Sequence, residues 1–185
     1  DRYRRARQGG ELTAIDPGIG VYLLPLGYDE YPAFAEMQVR DHAALEVAAG
    51  NWKPEEALER SRAEHADLVA HRDCEDGHRF YKSTAPNDEI LVWIWEGPPP
   101  EAFSLKDTRW LYQITVRPDY RRRHIADNAL GALEIQLADE GVAFLQLNVH
   151  KHNAAARALY VKHEFEVVAE FEKELHMRKT LERSP

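Results

Sequence analysis

One cysteine, Cys74, occurs in the 185 residues, so no internal disulfide can form and the disulfide-stapled classes are excluded. Long apolar runs are missing as well. The longest, Ile90 to Trp95, has 6 residues, against the roughly 20 needed to cross a bilayer. No positively charged and then apolar leader opens the chain, and the expectation is a cytoplasmic protein with no membrane attachment. Positive charge is in deficit, with 24 Lys and Arg against 32 Asp and Glu and a net charge of −8. That balance excludes a broad basic face for long nucleic acids, whose binding rests on neutralising phosphates. With 10 glycines and 10 prolines the chain is neither collagen-like nor of low complexity. What is present, 44% apolar and 30% charged residues, is the composition of one ordinary core at this length.

Arg2, Arg4, Arg5 and Arg7 precede Gly9, Gly10, Pro17, Gly18 and Gly20 with no apolar period. Residues 1–20 therefore read as a flexible arm and residues 21–185 as a single domain. Val21 to Pro25 is a short strand. Two helical patterns follow, Glu30 to Ala49 and Pro54 to Ala70, parted at Gly50 and Asn51; Pro54 suits a first helical position, and Glu55 and Glu56 suit the positive end of the helix dipole. Three strands are expected next, over His78 to Ser83, Glu89 to Glu96 and Trp110 to Val116. Asp127 to Glu140 is a helix with Ala126, Ala129, Leu130, Leu133 and Leu137 on one face and Gly141 beyond its end. Phe144 to Val149 reads as a buried strand and Ala154 to His163 as a helix capped by Asn153. Phe165 to Phe171 and Glu174 to Leu181 close the chain as two strands, and the whole order predicts a mixed sheet with helices on both faces.

The segment richest in chemistry runs from Leu111 to Val116 through Arg117, Pro118, Asp119 and Tyr120 into Arg121, Arg122, Arg123, His124, Ile125 and Ala126, and straight into a helix. Unpaired N–H groups at a helix N-terminus carry partial positive charge, and three arginines beside them suit a pyrophosphate. Forty residues on, Asn153, Ala156, Leu159 and Tyr160 form Asn-x-x-Ala-x-x-Leu-Tyr, preceded by the Leu145 to Val149 strand and followed by Phe165.

Taken together these residues resemble the GNAT superfamily of acetyl-coenzyme A dependent N-acetyltransferases, over about Trp110 to Leu181. The resemblance implies an α/β GNAT fold, with a mixed, mostly antiparallel sheet of about six to seven strands. It implies acetyl-coenzyme A as donor and a small-molecule or peptide amine as acceptor, with direct attack of the amine in a ternary complex. Ile114, Thr115 and Val116 would align the pantetheine arm, and Arg121, Arg122, Arg123, His124, Ile125 and Ala126 would hold the pyrophosphate. Asn153 would brace the cofactor, and Tyr160 would lie near the thioester sulfur and protonate the departing thiolate. The family's usual glycines are replaced by His124 and Glu164. Glycine lets backbone approach a phosphate closely, so the histidine is expected to weaken binding.

The general base has no obvious holder, since Tyr112 and Gln113 stand where the family often has a carboxylate. Glu96 and His150 are the candidates, with Tyr112 behind them. His71, Cys74 and His78 fall in one loop but are three loosely spaced groups where metal sites use four, so no metal is expected. A homodimer stays open. A competing reading is a GNAT-fold module that binds acyl-coenzyme A with little or no turnover, because both glycines and the strand carboxylate are absent. The acidic remainder of the chain suggests a cationic acceptor.

Overall fold

The computed structural model describes residues 21–27, 29–65 and 77–182; the arm over 1–20, the 66–70 end of the second helical pattern, and His71 with Cys74 lie outside the described residues. Among the described residues seven strands form one sheet: β1 (Leu24–Pro25), β2 (Arg79–Thr84), β3 (Ile90–Gly97), β4 (Thr108–Val116), β5 (Phe144–His150), β6 (Glu166–Glu170) and β7 (Glu174–Thr180). Their order is β1-β2-β3-β4-β5-β7-β6, and every neighbouring pair is antiparallel except β4 with β5. Among the described residues four α-helices connect them: α1 (Tyr31–Ala48), α2 (Pro54–Glu64), α3 (Ile125–Asp139) and α4 (Ala154–Lys162). A parallel pair needs a crossover, and α3 supplies it between β4 and β5.

Strand alternation puts a different helix on each face. Val92 and Ile94 belong to the main core with α3, whose Ile125, Ala129, Leu130, Leu133 and Leu137 recur at helical spacing and are fully buried. Trp93 and Trp95 point the other way, against Phe80, Tyr31 and Phe34 of α1. A six-residue apolar run in β3 is thus explained by burial on both faces. α2 is tied to α1 by the Ser61 hydroxyl, which donates to the Val39 carbonyl at 2.7 Å.

The first strand is shorter than the expected Val21 to Pro25, pairing only at Leu24 and Pro25, and most other ends agree within a residue; two larger shifts have a local physical reason. α3 starts at Ile125, two residues before the expected Asp127, because His124 takes a left-handed conformation and opens the helix directly behind it. β4 starts at Thr108 because its first three residues pair with β5.

Candidate active site

The one parallel pair is short. Thr108, Arg109 and Trp110 pair with Phe144, Leu145 and Gln146, and there the pairing stops. β4 continues to Val116 beside β3 while β5 continues to His150 beside β7. From Leu111 on one side and Leu147 on the other, the two strands no longer pair and, among the described residues, no strand lies between them, leaving a wedge-shaped opening. A bulge begins that divergence. Trp95 faces Gln113 while Glu96 faces Leu111, so Tyr112 is the extra residue on β4. The Tyr112 ring stacks on Trp95 at 4.5 Å, and its hydroxyl donates to the Pro98 carbonyl at 2.8 Å.

The wedge ends at the basic turn. Arg122 and His124 both have positive φ, 59° and 58°. The first intrahelical bond of α3 runs from the Asn128 N–H to the His124 carbonyl at 2.9 Å, and no side chain caps the helix. The amides of Ile125, Ala126 and Asp127 therefore stand ahead of the hydrogen-bond ladder with the positive end of the helix dipole. Arg121 donates to the Val116 carbonyl at 3.2 Å, joining the end of β4 to the turn. Arg123 lies 5.3 Å over the Tyr120 ring, and Arg117 pairs with Glu89 at 2.6 Å. Asp41 of α1 is raised by burial, and the charge of Arg121 opposes that rise. Uncapped amides, exposed guanidinium groups and left-handed backbone form a donor set that fits a pyrophosphate.

His124 occupies a backbone conformation that costs a side-chain-bearing residue about 1 kcal/mol or more. His124→Gly is therefore expected to raise unfolding free energy by about 1 kcal/mol in urea titrations. It is also expected to tighten acetyl-coenzyme A binding in calorimetry; unchanged or weaker binding would refute the cost assigned to the imidazole.

α4 faces the turn from the other strand. The Asn153 Oδ1 accepts from the Ala156 N–H at 3.1 Å, which makes Asn153 the N-cap. At the other end Glu164, with φ 63°, closes a Schellman motif. The Glu164 N–H donates to the Val161 carbonyl and the Phe165 N–H to the Tyr160 carbonyl, both at 3.0 Å. That motif carries the residue after the turn back onto the helix, and Phe165 packs on Tyr160 with ring centroids 5.6 Å apart. Tyr160 is buried among the core residues, and burial pushes its phenol well above the usual tyrosine range.

Glu96 and His150 are placed very differently. Glu96 is wholly buried, bonded by Arg79 and, at 2.6 Å, by Arg109. Arg79 also pairs with Glu140 just past the C-terminus of α3, about 22 Å along the helix from its first turn. The structure thus engages Glu96 in an ion-pair network away from the basic turn. His150 is the last residue of β5, in the part of the strand that β4 has left. Its Nε2 lies 3.3 Å from Glu46 Oε1, and its Nδ1 lies 3.6 Å from Glu174 Oε1. That Nδ1 and the Asn148 Oδ1 are buried with no hydrogen-bond partner among the described residues. Sequence reasoning missed Glu46. The available signal was a carboxylate on the inner face of α1, in register with Phe34, Val39 and Ala43. Glu174 carries no comparable signal. Among the described residues no cluster of three or more His, Cys, Asp or Glu could hold a metal, and no helix is long and apolar enough to cross a membrane.

Residues 44–165 match the model of the acetyltransferase (GNAT) family. The chain belongs to the GNAT acetyltransferase family. It is 31% identical over 146 residues to the uncharacterized N-acetyltransferase YycN of Bacillus subtilis (strain 168), covering 76% of this chain and 88% of that protein. YdgE of the same organism, also named an uncharacterized N-acetyltransferase, is 27% identical over 139 residues, or 72% and 84% of the two chains. The crystal structure of YycN superposes with a TM-score of 0.74 at 25% identity, covering 83% of this chain and 96% of that one. The PaiA N-acetyltransferase of Thermoplasma acidophilum, solved in complex with coenzyme A, gives a TM-score of 0.70 over 88% of this chain and 99% of that one; at 16% identity the likeness is one of fold. In this chain the wedge between β4 and β5, the uncapped start of α3 and the Asn153-capped α4 occur together, with His124 and Glu164 both in left-handed backbone conformations.

Proposed function

We propose that this GNAT enzyme moves an acetyl group from acetyl-coenzyme A to a primary amine in a ternary complex. The observation that carries the reading is the wedge between β4 and β5 running into the uncapped N-terminus of α3. Bound acetyl-coenzyme A supplies a thioester whose carbonyl carbon is open to an amine. Ile114, Thr115 and Val116 offer the free edge of β4 to the pantetheine arm, and Arg121 to Ala126 hold the pyrophosphate. Backbone N–H groups of that edge stabilise negative charge on the acetyl oxygen, worth about 3 kcal/mol for one well-aimed donor. Asn153 braces the cofactor from the N-terminus of α4.

His150 takes the amine proton. Glu46 and Glu174, lying 3.3 Å and 3.6 Å from its two ring nitrogens, orient the imidazole. Tyr160, whose raised pKa keeps the phenol protonated across the neutral range, donates a hydrogen bond to the departing sulfur and so stabilises the charge that develops there. The same two carboxylates favour a cationic acceptor over an anionic one.

Thiol release from acetyl-coenzyme A against a panel of amines tests this. Amine-dependent release, faster with polyamine-like than with anionic amines at low salt, is the expected result. Tight cofactor binding with no amine-dependent release would instead support a binding module without turnover.

A further inference from the structure

His163, the residue after α4, lies between two carboxylates of α3. Its Nε2 is 3.0 Å from Asp127 Oδ1 and its Nδ1 is 3.0 Å from Glu134 Oε1. Asp127, Gly131 and Glu134 form one stripe on α3, and a Cβ on Gly131 would meet the imidazole Cε1 at 3.9 Å, so the ring sits over the glycine between its two partners. Each carboxylate also meets a lysine: Lys162 bonds Asp127 at 2.6 Å, and Lys179 of β7 bonds Glu134 at 2.7 Å. The Asp127 carboxyl is lowered, chiefly by the Lys162 hydrogen bond. Ionised carboxylates only accept, so both ring nitrogens must donate, and that requires the imidazolium. His163 is 12% exposed and Glu134 12%, so solvent screens the cluster weakly.

The location gives this tie a consequence for the reaction. Asp127 is in the first turn of α3, and its other oxygen lies 3.6 Å from the Nδ1 of His124. His163 follows the helix that carries Asn153 and Tyr160. We propose that His163 is a positioning residue that, in its protonated form, locks the pyrophosphate turn of α3 to the Tyr160 helix through Asp127 and Glu134, and so couples cofactor affinity to pH. The proposal rests on the acetyl-coenzyme A reading above.

The groups facing His163 are Asp127 and Glu134 from α3, Lys162 from α4 and Lys179 from β7, with His124 reaching it through Asp127. Its pKa is raised, first by the Glu134 hydrogen bond. The tie is fully present below the ordinary imidazole value of about 6.5 and is lost as pH rises through the raised value in the folded protein. Loss of the proton turns a lone pair toward a carboxylate, and the lock opens.

Linkage supplies the test. If the protonated lock favours cofactor, then acetyl-coenzyme A must raise the His163 pKa in turn, by reciprocity. The imidazole is titrated by NMR with and without saturating acetyl-coenzyme A, while calorimetry records affinity over the same pH range. The His163 pKa is expected to rise on binding, and affinity to fall about five- to tenfold as His163 loses its proton. His163→Gln should lose that affinity already at neutral pH and show a flat profile, and His163→Arg, which keeps the charge, should recover it. Identical His163 titration in free and saturated protein would overturn the proposal, and this readout on the natural chain stands even if a variant fails to fold. Absence of any binding heat would overturn the acetyl-coenzyme A reading and the proposal with it, whereas binding with unchanged titration overturns the proposal alone.

Discussion

Tyr160→Phe is expected to lower kcat for acetyl transfer about a hundredfold while acetyl-coenzyme A affinity stays within about twofold. The magnitude is that of removing one donor aimed at developing charge in a water-poor site. Burial has two effects at this residue. It keeps the phenol protonated, so the donor is present at every working pH, and it excludes the water that would otherwise take its place. Only the hydroxyl is lost in the variant. The ring still packs on Phe165, and the Schellman turn that sets this contact is made by backbone, so melting temperature should change little. Steady-state kinetics beside calorimetry separate the two quantities. A fall in affinity with kcat unchanged would mean that Tyr160 holds cofactor and does not serve the leaving group.

The second large effect is expected at His150. His150→Gln should reduce kcat about a hundredfold with an alkyl amine acceptor, the low end of what a positioned general base contributes. The loss should shrink with a weakly basic aryl amine, whose nitrogen needs no proton removed before it attacks. Glu46→Gln should give a smaller loss of the same pattern, because Glu46 lies 3.3 Å from the His150 Nε2 and would act only through the orientation of that ring. An equal loss with alkyl and aryl amines would show that His150 shapes the site without taking the proton.

The parts of the fold that repeat along the chain were legible in the sequence. The α3 stripe from Ala129 to Leu137 and the apolar run of β3 are local patterns, and burial is their direct cause. The wedge was not legible in the same way. It depends on where β4 stops pairing with β5, which is set by the Tyr112 bulge and by the partners on either side, and no local spacing encodes it. The basic turn was readable as residue types, but the left-handed backbone at Arg122, His124 and Glu164 is imposed by the fold against local preference. Glu96 looked like an acid at a strand end because its partners, Arg79 and Arg109, are 17 and 13 residues away in sequence. The Glu46–His150–Glu174 group joins α1, β5 and β7, and the Asp127–His163–Glu134 group joins α3 to the end of α4. Clusters of that kind become visible only when the elements pack.

Direct reaction of one bound thioester with one amine in the wedge is tested by following acetyl-labelled coenzyme A with a saturating amine and counting both products. The expected result is one acetylated amine for each thiol released, with no release in the absence of amine. Thiol release without acetylated amine, or acetyl retained on the protein before amine is added, would contradict it.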